Sequence, residues 1–109
     1  HFFVREAIRQ MDTGCASVQG IEQLAEQSRV SFAHFTRCFR EETGVSPMQY
    51  LQEARIRKAM TLLLNTGKSV EEIAAETGFS SGTILEKYSR HHMGISPSAY
   101  RKERQNGAV

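Results

Sequence analysis

Tryptophan is absent from the 109 residues, and proline appears only twice. So few prolines leave long stretches free to be helical, and few β-branched runs leave little material for strands. Two cysteines, Cys15 and Cys38, are too few for a disulfide framework. Cys38 lies within an apolar helical stripe, where a reduced thiol acts as a small hydrophobe. That usage suits a reducing compartment, and the expected location is the cytoplasm. No apolar run approaches membrane-spanning length and no signal-peptide pattern is visible, so no membrane partner is expected. Neither a Gly-rich phosphate loop nor a nucleophile–base pairing stands out, which argues against an enzyme, and no cofactor is expected. His91 and His92 do not make a metal site, because helical neighbours point about 100° apart and no Cys or carboxylate completes the set.

Net charge is also small, at +2, and that total alone would not suggest a polyanionic partner. Its distribution says more. Glu22, Glu26, Glu71, Glu72 and Glu76 fall in two segments, whereas Arg37, Arg40, Arg55, Arg57, Lys58, Lys87 and Arg90 fall in others. A modest net charge can thus cover a polarised molecule. A hydrophobic content of 39% and a charged content of 24% are ordinary for a globular domain and argue against disorder. The supply of Ala, Leu, Glu, Gln and Arg favours an all-α fold. The chain begins with His1 rather than Met and is expected to be a fragment, with room outside it for a sensor or a second domain.

The most informative feature is an internal repeat. "IEQLAEQSRVS" at residues 21–31 matches "VEEIAAETGFS" at 70–80, an offset of 49. "TGVSPMQY" at 43–50 matches "MGISPSAY" at 93–100, now offset by 50. Each unit runs from a short amphipathic helix through a tight turn and a second helix to a Gly-x-Ser-Pro stop. One extra residue lies between the turn and the stop of the second unit.

Leu24-Ala25 and Ile73-Ala74 put a small residue where a second helix can cross closely. Gly78 suits a left-handed turn position, whereas Arg29 in the same place must accept strain or a different turn. Ser31 and Ser80 are the expected N-caps of the second helices. Gly44 and Gly94 end those helices, and Ser46-Pro47 and Ser96-Pro97 start new ones with a cap and a proline in the first turn. This is helix-turn-helix, twice.

Around the repeats the pattern predicts three more helices, about seven in all. The first covers Phe2 to Met11, with Phe3, Ala7, Ile8 and Met11 inward. A long one from about Pro47 to Leu64 joins the units, with Tyr50, Leu51, Ala54, Ala59, Leu62 and Leu63 as its stripe and Gly67 closing it. A short one follows Pro97. The expected division is a first helix-turn-helix subdomain at 1–46, a linker helix at 47–65, a second subdomain at 66–104 and a flexible tail at 105–109.

The second helix of such a motif can enter a DNA major groove by its N-terminal half while the first supports it. That chemistry needs short hydrogen-bonding residues near the helix start and long cationic ones a turn further on. In the first unit Phe35, Cys38 and Phe39 share a core face, and Ala33, Thr36, Arg37 and Arg40 share the opposite one. Arg37 has the fork that bridges guanine O6 and N7, and Ser31, His34 and Thr36 lie in reach of base edges or phosphates. The second unit offers Ser81, Gly82 and Thr83 at the helix start, with Lys87 and Arg90 behind. Arg55, Arg57 and Lys58 read as the solvated face of the long helix.

At these residues the chain from about Phe2 to Arg104 resembles the DNA-binding domain of the AraC/XylS family of bacterial transcription regulators. "IAAETGFSS" followed by "GISPSAYRKER", and the spacing of both units, carry the resemblance. It implies a sequence-specific double-stranded DNA-binding domain whose two recognition helices read successive major grooves about 34 Å apart. The base-reading residues it implies are Ala33, Thr36 and Arg37, then Gly82, Thr83 and Lys87. It also implies an effector-binding or dimerisation region outside these residues, with promoter DNA and RNA polymerase as partners. One departure is that Ser89 stands where the family carries an aromatic, with Tyr88 one place earlier. Either Leu85 still holds the core face, or the helix is rotated so that Ile84 and Tyr88 do. The competing interpretation is a helical protein–protein module, such as an RNA polymerase contact, that does not read DNA.

Overall fold

The computed structural model describes the backbone of residues 1–107 and the side chains of residues 1–104. Among these residues there are seven α-helices and no strands: α1 (Phe2–Thr13), α2 (Ile21–Gln27), α3 (Phe32–Thr43), α4 (Pro47–Asn65), α5 (Val70–Thr77), α6 (Gly82–Met93) and α7 (Pro97–Gly107). A single 3-10 turn at Cys15–Ser17 follows α1. The last helix runs past Arg104 into the stretch expected as a tail, whose final residues 108–109 lie outside the described residues.

The chain forms two compact units, His1–Ala54 and Arg55–Val109, and their boundary falls inside α4. In the first unit Val4, Ala7 and Met11 of α1 pack with Leu24, Ala25, Phe35, Cys38, Phe39, Leu51 and Ala54. In the second, Ile56, Ala59, Met60 and Leu63 of α4 pack with Ile73, Ala74, Phe79 and Leu85. The long helix therefore buries one set of residues in each core. That is why Ile56 and Met60 escaped the single stripe expected for it, and why its pattern is not that of an ordinary amphipathic helix. Cys15 and Cys38 are both free and buried in the first core.

Local chemistry sets the punctuation of both units. Gly44 and Gly94 end α3 and α6 in the left-handed region, at φ +82° and +80°, and each donates its N–H back to a carbonyl four residues earlier. Ser46 and Ser96 then cap the next helices, accepting from Gln49 and Ala99 N–H at 3.1 Å in each case. At the turn inside each motif Gly78 has φ +93°, and Arg29 adopts φ +58° despite its β-carbon. Both turns close alike, Val30 N–H on the Ala25 carbonyl and Phe79 N–H on the Ala74 carbonyl. The small Ala25 and Ala74 are buried there, as expected.

Two expectations about caps are corrected. Ser81, not Ser80, is the N-cap of α6, accepting from Ile84 N–H at 3.2 Å. The extra residue of the second unit therefore lies in the turn itself. Gly67 does not adopt a left-handed conformation. Instead Thr66 turns the chain at the end of α4, its N–H and hydroxyl both donating to the Leu62 carbonyl. Arg101 finishes the job from α7, donating to the Leu63 and Thr66 carbonyls at 2.9 and 3.2 Å. A cation on the exposed carbonyls of a helix end is favourable both as a hydrogen bond and against the helix dipole.

Candidate nucleic-acid interface

Helix α3 begins at Ser31, whose side chain accepts from His34 N–H at 3.1 Å. Its inner face is Phe35, Cys38 and Phe39, all buried, with the Phe35 and Phe39 rings 6.0 Å apart. Three core residues within two turns fix the rotation of the helix about its own axis. Ala33, Arg37 and Arg40 are consequently exposed, as the sequence predicts. Ser31 is exposed too, although its hydroxyl is engaged in the cap.

Two residues of this helix sit differently from expectation. Thr36 is half-buried, and its Oγ1 is shut away from solvent without a hydrogen-bond partner. The hydroxyl is therefore not the group that Thr36 presents outward. His34 does not project freely either. Its ring packs on Phe3, 6.0 Å between centroids, lies 3.7 Å from the Cys38 sulfur and meets Arg37 Nη2 at 3.0 Å. His34 thus braces the Arg37 guanidinium from the α1 side.

Helix α6 answers the question of rotation. Leu85 and Ser89 are both 0% exposed, while Ile84 and Tyr88 are half-buried at the flanks. The helix holds the same register as α3, with Leu85 in the place of Phe35 and Ser89 in the place of Phe39. A serine can fill that place because its hydroxyl donates to the Ile95 carbonyl at 2.9 Å. Tyr88 supplies aromatic packing from the side, with its ring 5.6 Å from that of Phe79. Thr83, Lys87 and Arg90 are exposed in consequence, and Ser81 is half-buried at the cap.

Gly82 is the clearest correction among the candidate residues. It is buried, and its N–H donates to Glu71 Oε1 of α5 at 3.0 Å. A β-carbon there would lie 2.5 Å from that oxygen, so Gly82 serves the packing of α5 on α6 rather than an outward contact. With the extra residue in the turn, the two recognition helices correspond at an offset of 50 throughout. Ala33 then matches Thr83, Thr36 matches Glu86 and Arg37 matches Lys87. At the offset of 49 that relates residues 21–31 to 70–80, Ala33 pairs with Gly82 and Thr36 with the core residue Leu85, so the repeat alone does not single out Glu86. Glu86 is exposed, and Arg90 donates to its Oε1 through Nε at 3.2 Å and Nη2 at 3.0 Å.

The outer face of α3 carries the cations Arg37 and Arg40, and that of α6 carries Thr83, Lys87 and Arg90 together with the carboxylate of Glu86. Among the described residues, no group of three or more His, Cys, Asp or Glu could hold a metal ion, and no helix is long and apolar enough to cross a membrane.

Comparison with known proteins agrees with this geometry. Residues 24–103 match the model of a helix-turn-helix domain family. An uncharacterised HTH-type transcriptional regulator of Haemophilus influenzae is 40% identical over 82 residues, covering 75% of this chain and 28% of that protein. The chain spans 28% to 33% of the length of the first curated relatives it matches. The DNA-binding domain of AdpA, a global transcriptional factor solved in complex with a target DNA, is 33% identical with a TM-score of 0.88, covering 94% of both chains. A Chromobacterium violaceum transcriptional regulator described as containing an AraC-type DNA-binding domain is 30% identical with a TM-score of 0.83, covering 94% of this chain and 91% of that one. Matched over most of its length in sequence and in fold, the chain belongs to the AraC-type helix-turn-helix domain family.

Proposed function

We propose that this chain is the sequence-specific, double-stranded DNA-binding part of a bacterial transcription regulator, with α3 and α6 each entering a major groove, in successive turns of the duplex. The observation that carries this reading is the matched pair of helices with a buried core face and an exposed polar, cationic outer face. Arg37, Arg40 and Ala33 stand on one, and Thr83, Lys87 and Arg90 on the other. The likeness to the AdpA domain, which was solved on its target DNA, supports it.

Arg37 is the principal base reader, its fork suited to guanine O6 and N7 and steadied where Nη2 meets the His34 ring. Arg40 contacts a phosphate. Lys87 takes the position of Arg37 in the second unit. Ser31 and Ser81 act as caps that hold the first turn in shape, and Ala33 keeps the approach to the groove open. Thr36 contributes an apolar contact, since its hydroxyl faces inward. The role is binding without catalysis, in the cytoplasm, and the effector or dimerisation function belongs to chain outside these residues. The subdivision into two reading subdomains joined through α4 follows from the same reading.

Retention of genomic fragments at graded salt tests it. Specific fragments should survive, with affinity falling steeply as salt rises, because counterions are released from the phosphates. Retention of no fragment, or binding insensitive to salt, would contradict it.

A further inference from the structure

The outer face of α6 holds one group with no counterpart on α3. Between Ser31 and Arg40 no acidic residue occurs, whereas α6 carries Glu86, its only acid, in the place of Thr36. A carboxylate turned toward a polyanion is repelled unless it is partly neutralised and finds a donor in the groove. The structure supplies the first condition. Arg90, one turn on, donates twice to Glu86, and both bonds end on Oε1. That leaves Oε2 free to accept, on an exposed face between Thr83 and Lys87.

Base chemistry supplies the second condition and narrows the choice. An ionised carboxylate only accepts hydrogen bonds. Guanine presents the major groove with two acceptors, and thymine with an acceptor and a methyl group, so both repel it. Adenine offers its N6 amino group beside the N7 acceptor, which faces the same carboxylate. Cytosine alone presents an amino donor without an adjacent acceptor. We infer that Glu86 is a specificity-determining residue whose Oε2 accepts a hydrogen bond from the N4 amino group of a cytosine in the half-site read by α6. The inference rests on the DNA-binding reading above and adds to it the base that α6 selects.

Selection from randomised duplexes by the chain and by Glu86→Gln and Glu86→Ala tests it, with thermal unfolding of each variant as a check on folding. The wild-type chain should fix cytosine at one position. Glu86→Gln should move that position toward adenine, because an amide donates to N7 and accepts from N6. Glu86→Ala should lose roughly 10- to 100-fold discrimination there and bind random DNA more tightly, one negative charge having gone. Selected sites that keep the wild-type preference in both variants would overturn the role of Glu86 while leaving DNA binding intact. Failure of the wild-type chain to enrich any sequence would instead overturn the DNA-binding reading and this inference together.

Discussion

Gly82 donates its backbone N–H to Glu71 Oε1 at 3.0 Å, and a β-carbon at position 82 would stand 2.5 Å from that same oxygen. The absence of a side chain and the presence of a carboxylate are one device, which seats the start of α6 against α5. The bond also places negative charge at a helix start, where it is favourable.

The pair therefore behaves non-additively. In the wild-type chain Gly82→Ala displaces the Glu71 carboxyl and forfeits the bond, a loss of about 1 kcal/mol that outweighs the gain from replacing glycine. In a Glu71→Ala background the obstruction is gone, and Gly82→Ala should stabilise by about 0.5 kcal/mol. A double-mutant cycle by urea unfolding reads the change of sign. Equal effects in both backgrounds would mean that the two residues do not meet.

The turns inside the two motifs offer a reciprocal pair. Arg29 holds φ +58°, a conformation that costs a non-glycine residue about 1–2 kcal/mol. Arg29→Gly should raise stability by about 0.5–1 kcal/mol after the extra entropy of unfolded glycine is subtracted. Gly78→Ala, at φ +93°, should lower it by about 1–2 kcal/mol. Thermal unfolding followed by circular dichroism suits a chain without tryptophan.

Corresponding core positions rest on different interactions. Phe39 fills its place with a ring packed on Phe35 and Tyr50, so Phe39→Ala should cost about 3–5 kcal/mol. Ser89 fills the same place in the second unit through its bond to the Ile95 carbonyl, so Ser89→Ala should cost only about 1 kcal/mol. Denaturant titration of the two variants distinguishes them.

Helix α5 adds a pH-dependent term. Ser69 and Glu72 form a capping box, with Ser69 N–H donating to the Glu72 carboxylate and Glu72 N–H donating to the Ser69 hydroxyl. The bond from the Ser69 backbone, then its side chain and the nearby Lys68, holds the Glu72 carboxyl below its ordinary value of 4.5. A lowered folded-state value stabilises above 4.5 and loses that contribution as pH falls through the folded value. The stability difference between the wild-type chain and Glu72→Gln should shrink over that window. A difference that stays constant with pH would rule the carboxylate out as its source.

Much of the fold is legible because its punctuation is local chemistry. Gly44, Gly94, Ser46-Pro47 and Ser96-Pro97 act through their own backbone preferences and need no knowledge of tertiary packing. The cap at Ser81 and the outward place of Glu86 are hidden for the opposite reason. A residue inserted in a turn leaves the helical period intact on both sides, so the pattern does not show on which side it falls. Ser89 is a polar residue buried by one hydrogen bond, which a hydrophobic pattern cannot reveal. Ile56 and Met60 belong to a helix that serves two cores, and the inward turn of the Thr36 hydroxyl is not encoded in the helical period. The inward posture of His34 depends on Phe3, a contact between segments about thirty residues apart that no local pattern encodes.

The most direct measurement is a footprint on a selected duplex by the wild-type chain and by Arg37→Ala. Two protected major-groove segments about one helical turn apart are expected, one for each recognition helix. Arg37→Ala should weaken binding by about 1–3 kcal/mol and relax the choice of base at one position in one segment only. A single protected segment, or a loss spread evenly over all sequences, would contradict the assignment of α3 and α6 as paired readers with Arg37 at a base.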